Sequence, residues 1–176
     1  LFNKEFIGAS NYFSIAGDLR DWIRIFEPIL QQKNLNKASI VRFTSGFADT
    51  LESELRVLFS AAPRKFLSPL VYSDIHLSEA SSLVIKVKSM SPEVVYFDGQ
   101  PSSLATFLRR AMEAQLHGVV FFTNEIFDDA IRQGLIDLNS LKSEVYFTKR
   151  AEFDESFKKS FFSEYSKIPY LQSDLG

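Results

Sequence analysis

The sequence predicts an α/β fold, a three-layer αβα lobe built on a mainly parallel sheet. Three observations predict it. A short apolar strand repeatedly ends in small or polar residues, and an amphipathic helix follows at once. Ala38–Phe43 leads into Thr44-Ser45-Gly46, Glu93–Phe97 into Asp98-Gly99-Gln100, and Gly118–Phe122 into Thr123-Asn124-Glu125. Strands that alternate with helices form parallel sheets covered on both faces. The composition is 45% hydrophobic with 18 Phe, enough to bury an aromatic-rich core. The length, 176 residues, fits one domain, or one lobe plus part of another. Parallel sheets bind ligands at the carboxyl ends of their strands, so the three polar tips should meet on one functional edge.

Each element has its own signal. Asn11–Ile15 reads as a short strand, and Asp18 as the cap of the helix after it. Leu19, Trp22, Ile23, Phe26, Ile29 and Leu30 recur at helical spacing. Pro28 should kink that helix by removing a donor, and Trp22 reads as core. Ala38–Phe43 is the next strand. Leu51, Leu55, Leu58 and Phe59 mark a helix face that Pro63 stops. Lys65–Tyr72 reads as a strand that Pro69 weakens in its middle or marks as an edge.

Ser78 opens a helix with Leu83, Val84 and Val87 inward, ended by Ser91-Pro92. After the strand Glu93–Phe97, Pro101 suits a first helical position. Leu104, Phe107, Leu108, Ala111 and Met112 form the apolar face of that helix. His117-Gly118 should close it, with Gly118 as a left-handed cap. Gly118–Phe122 is the fifth strand, and Ile126, Phe127, Ala130 and Ile131 mark a shorter helix ending near Gly134. Glu144–Thr148 is a last strand. Asp154 caps a final helix bearing Phe157, Phe161 and Tyr165, and Lys167–Gly176 has no clear element.

Charge and composition exclude several function classes. With 20 basic and 22 acidic residues and no basic block, a nucleic-acid surface is not expected. The absence of Cys excludes disulfides, a thiol nucleophile and Cys-ligated metals. His76 and His117 lack ligand-spaced partners, so neither a metal site nor a cofactor is expected. Phosphate-loop, dinucleotide-binding and nucleophile-elbow motifs do not occur, and nothing calls for catalytic residues. No apolar run approaches the roughly 18 residues of a membrane span. The chain starts on Leu1 and lacks a signal-peptide pattern, and it reads as a piece of a longer protein.

Several segments carry a family likeness. They are Asn11-Tyr12-Phe13-Ser14 with Asp18, Lys37-Ala38-Ser39-Ile40-Val41, and Ile85-Lys86 with Pro92-Glu93-Val94-Val95-Tyr96. Phe107-Leu108-Arg109-Arg110-Ala111 to Gln115-Leu116 is another, with Gln115 in place of the pattern's glycine, and Ser173-Asp174-Leu175-Gly176 the last. With the order of elements, they resemble lobe 2 of the type I periplasmic substrate-binding proteins, on the leucine/isoleucine/valine-binding branch of ABC importers. The resemblance implies half of a periplasmic-binding-protein clamshell. Residues 1–148 would be the ligand-binding lobe with hinge segments at its ends. Residues 149–176 would cross back toward lobe 1, which is missing here. Ligand closes the two lobes and an ABC permease receives it, in the periplasm or cell envelope. The isolated piece should expose an apolar strip near Tyr12 and Phe147 and self-associate.

The candidate ligand-binding residues are Ser45, Phe47, Asp98, Gln100 and Glu125. By the resemblance, Glu125 falls where amino-acid-binding members place an acid against the ligand ammonium. The competing explanation is a helix-start acid favoured by the dipole. Thr44, Ser45 and Gly46 could present donors to an anion at a helix start, and ordinary N-capping needs the same residue types. Asp98-Gly99-Gln100 carries the same ambiguity, since a turn alone justifies Asp-Gly. Phe47 and Phe97 fall near positions the family often fills with Tyr. Phe cannot donate a hydrogen bond, which favours a more apolar or otherwise altered ligand. The reading is a solute-binding protein for a small polar molecule, such as an amino acid or a related organic anion. A sensory or interaction module of the same fold is the alternative. A Rossmann-like or flavodoxin-like enzyme domain would need a cofactor loop that the sequence does not contain.

Overall fold

The computed structural model describes residues 19–74, 78–116 and 118–148, without the side chains of Asp21 and Trp22. The expected strand Asn11–Ile15, the Asp18 cap, His76, His117, the Asp154 helix and the tail lie outside the described residues, as does the side chain of Trp22.

The elements alternate as the sequence predicts. They are α1 (Leu19–Arg24), α2 (Glu27–Gln32), β1 (Lys37–Phe43), α3 (Gly46–Leu58), β2 (Lys65–Phe66) and β3 (Leu70–Tyr72). Then come α4 (Ala80–Met90), β4 (Val94–Asp98), α5 (Pro101–Glu113), β5 (Val120–Thr123), α6 (Ile126–Arg132) and β6 (Glu144–Phe147). The sheet order is β2-β1-β4-β5-β6, with β3 also paired to β1. Every pairing is parallel.

Both faces of the sheet are buried, which explains the unbroken apolar strands. On β4, Val95 and Phe97 face one core, with Leu83, Val87, Phe107, Phe121 and Phe127. Val94 and Tyr96 face the other, with Ile23, Phe26, Leu30, Leu55 and Phe122. The phenylalanines interlock on both faces: Phe26 stacks on Phe122 at 4.4 Å, and Phe107 meets Phe121 edge-on at 6.2 Å. Glu93 ties the starts of two strands together. Its carboxylate accepts main-chain N–H groups of Asn36 at 2.5 Å and Lys37 at 2.8 Å.

Three local expectations need correction. The first helix is not one kinked rod but two short helices, with Pro28 in the first turn of α2. Proline is tolerated there because its missing N–H would have no helical partner. The strand expected at Lys65–Tyr72 is split into β2 and β3. Between the two, β1 advances from Ala38 to Val41 while its neighbour advances from Phe66 to Leu70, one residue more. That bulge holds Pro69, which cannot donate to the ladder. The Ser39 hydroxyl, fully buried, donates to the Ser68 carbonyl at 2.9 Å and bridges the break.

Gly118 is not the cap of α5. The helix ends earlier, and Gln115 takes the left-handed position at φ +52°. Its N–H bonds the Met112 carbonyl at 3.0 Å, and the Leu116 N–H bonds that of Ala111 at 2.9 Å. This is the paired closure of a Schellman end. Gly118, at φ +78°, turns the chain toward β5 instead.

Candidate functional site

Parallel pairing carries the ends of β1, β4 and β5 to the same edge of the sheet, and each tip opens a helix. A small cavity of ≈ 30 Å³ lies at this edge. Leu19, Ile23 and Phe26 of α1 and its exit form one wall, and Phe47 and Leu51 of α3 another. Tyr96, Phe97 and Asp98 come from β4, and Thr123, Asn124 and Thr148 from the ends of β5 and β6.

The five residues chosen from the sequence fall differently around this edge. Phe47, in the first turn of α3, lines the cavity and is 38% exposed. Asp98 lines it too and is only 7% exposed. Ser45 is the N-cap of α3, its hydroxyl oxygen accepting from the Ala48 N–H at 3.1 Å. Its neighbour Thr44 is spent on β3, donating its hydroxyl to the Tyr72 carbonyl at 3.1 Å. Gln100 is exposed at the start of α5, outside the cavity wall. Glu125 is half-buried at the start of α6, with no side-chain cap bond. The wall residue there is Asn124, whose side-chain oxygen accepts from the Ile126 N–H at 3.1 Å.

The electrostatics of the edge are acidic. Arg42 sits opposite Asp98 in the β1–β4 register. Its guanidinium is bound instead to two α3 carboxylates, Asp49 at 2.7 Å and Glu52 at 2.8 Å. Arg56 also takes Glu52, at 2.7 Å. The Asp98 carboxyl is pushed up to about 6, chiefly by burial. Arg42 opposes the rise and the Glu125 charge adds to it. That coupling brings Asp98 and Glu125 into one electrostatic neighbourhood.

Four polar contributors escape a reading for site residues by sequence: Tyr96, Thr123, Asn124 and Thr148. The signal for Thr123 and Asn124 was their place in a polar strand tip. Thr148 follows the last strand, and its end position was the clue. Tyr96 sits inside a strand and looks like any core aromatic. The Thr123 hydroxyl donates to the Phe97 carbonyl at 3.0 Å and clasps two strand ends. The hydroxyls of Tyr96 and Thr148 are buried without a hydrogen-bond partner among the described residues.

No family model and no curated protein matches this sequence. Solved structures do. A solute-binding protein of an ABC transporter from R. palustris, solved with benzoate, superposes with a TM-score of 0.60 at 17% identity. The match covers 86% of this chain and 42% of that one. A branched-chain amino acid ABC transporter periplasmic ligand-binding protein from Burkholderia xenovorans LB400 gives 0.63 at 13% identity, covering 86% and 41%. An extracellular ligand-binding receptor from Desulfohalobium retbaense DSM5692 gives 0.64 at 11%, covering 89% and 27%. The chain thus has the fold of a type I periplasmic-binding-protein lobe, and it spans about two fifths of the first two of these proteins.

Proposed function

We propose that the chain is the ligand-binding lobe of an extracytoplasmic solute receptor. In that reading residues 1–148 form the lobe with its hinge segments, and 149–176 lead back toward a second lobe. A small polar solute, an amino acid in the simplest case, closes the two lobes, and an ABC permease takes delivery. The observation that carries the reading is the placement of a cavity and its acidic neighbours on the carboxyl edge of a parallel sheet, in a fold shared with such receptors. Closure needs no chemistry. A ligand that touches both lobes shifts the hinge equilibrium by its differential affinity for the closed state.

The charge of the edge argues about the solute. Benzoate, carried by the R. palustris neighbour, is a monoanion. Here Asp98 and Glu125 share the edge while Arg42 is occupied by α3, an arrangement that favours a solute bearing positive charge. Titration calorimetry on the intact receptor with amino acids tests the reading. Glu125→Gln should weaken a zwitterionic or cationic solute by about 1.5–3 kcal/mol, the worth of a charge-assisted hydrogen bond, and leave the melting temperature unchanged. Undiminished affinity with a lowered melting temperature would reduce Glu125 to a helix-start acid.

A further inference from the structure

A groove of ≈ 440 Å³ lies between α1–α2 and α3. One bank carries Arg20, Ile23, Arg24 and Glu27. The other carries Glu54, Val57 and Leu58, with Arg64 beyond the end of α3. Two ion pairs of opposite polarity span it: Arg20 to Glu54 at 3.0 Å, and Arg64 to Glu27 at 3.2 Å. Arg64 also donates to the Leu58 carbonyl at 3.4 Å. These pairs use both carboxylates of the lining. Arg24, the third guanidinium, stands between Arg20 and Glu27 in chain order and is exposed. No carboxylate of the lining remains for it. What is left on the α3 bank is apolar, Leu58 and Val57, the latter 69% exposed. Partnerless polar groups are rare inside folded proteins, and each one calls for an explanation. At the Glu27–Arg64 end, the Tyr96 hydroxyl is buried with no hydrogen-bond partner among the described residues, and those two are the charged groups that bear on it.

We propose that this groove is a second binding site, separate from the sheet edge, for a small organic monocarboxylate with an apolar body. Its volume falls within the range of small-molecule sites, roughly 300–1,000 Å³. Three guanidiniums against two carboxylates leave one positive charge, which one anionic group balances. A guanidinium grips a carboxylate through two parallel hydrogen bonds, and Arg24 is the guanidinium with that capacity left. Glu27 and Glu54 do not repel the guest strongly, since each is already held by an arginine across the groove. The body of the guest covers Val57 and Leu58 and rests on buried Ile23. Ile23 is the one residue that the groove shares with the cavity at the sheet edge. The site therefore stands apart from the solute-binding reading, and its failure would leave that reading intact.

The test is a two-dimensional amide NMR titration of the 176-residue chain at pH 7.5, with each probe raised to tens of millimolar. The probes are 3-phenylpropanoate, its neutral amide 3-phenylpropanamide, and propanoate, which keeps the carboxylate and lacks the apolar body. 3-Phenylpropanoate should shift the amides of Arg24, Glu54, Val57 and Leu58 with saturation and leave those of Asp98 and Thr123 in place. The amide and propanoate should each bind at least tenfold more weakly. Arg24→Gln should lower the 3-phenylpropanoate affinity at least tenfold, the loss of a charge-assisted hydrogen bond, and Val57→Ser several-fold. Both residues are exposed, and melting curves report that the variants stay folded. Equal binding of the amide, or an unchanged affinity in Arg24→Gln, would overturn the anion assignment. Equal binding of propanoate would overturn the apolar contact. Shifts confined to Asp98 and Thr123, or no saturable shift at all, would overturn the site.

Discussion

The hydroxyl of Tyr72 donates to the main-chain carbonyl of Asp98 at 3.1 Å, inside the fold. Tyr72 ends β3 and Asp98 ends β4, with β1 between them. The bond therefore fastens together two strand tips that do not pair directly, next to the cavity. It needs the next residue to be glycine. A Cβ on Gly99 would come 1.8 Å from the Tyr72 hydroxyl oxygen and 3.1 Å from its ring carbon.

Gly99→Ala should accordingly destabilise the fold by about 1–3 kcal/mol, the range for overpacking a tight interior. Urea melts of Gly99→Ala, Tyr72→Phe and the double variant close a thermodynamic cycle. Removing the hydroxyl relieves the clash, so the two changes should couple by on the order of 1 kcal/mol. Strict additivity would clear Tyr72 of the effect.

Asp98 gives the lobe a pH dependence of known sign. Its folded carboxyl lies at about 6, above the ordinary value of 3.8. A raised carboxyl means that the folded state holds the proton more tightly. Its favourable contribution is complete below pH 4 and is lost as pH rises through 6. The loss is on the order of 2–3 kcal/mol, from 1.36 kcal/mol per pKa unit. Asp98→Asn should raise the urea midpoint at pH 7 and flatten the pH 4–7 profile. A variant that melts earlier at pH 7 would mean that the charged form is well solvated.

Gln115 sits in a left-handed conformation that suits glycine. Gln115→Gly should stabilise the chain by about 0.5–1 kcal/mol, since a side chain in that region costs roughly 1–2 kcal/mol and glycine gives part of it back as unfolded-state entropy. A rise of about one to four degrees in melting temperature is the expected reading, and a fall would contradict the strain.

Ser45 earns its place as a cap. Ser45→Ala removes the acceptor for the Ala48 N–H and should cost about 1 kcal/mol. Ser45→Gly should cost only a few tenths. If Ser45 also met ligand in the intact receptor, both substitutions would weaken binding alike, and calorimetry separates the two roles.

The sequence by itself determined the α/β class, the parallel sheet and the edge at which the strand tips meet. Those features follow from local pattern: apolar runs such as Glu93–Phe97, polar tips, and helical stripes such as Leu104, Phe107 and Leu108. It also marked Asp98 and Phe47, because both stand at or just past a strand end. Tertiary structure alone decided what each tip residue does. Ser45 and Asn124 turn inward to bond their own helix starts, and Gln100 stays in solvent. Tyr96 and Thr148 come to share a cavity with Asp98 although 52 residues of chain separate the first two. Periodicity tells which face of an element is buried. Whether a buried oxygen finds a partner depends on the three-dimensional neighbourhood that distant segments assemble around it.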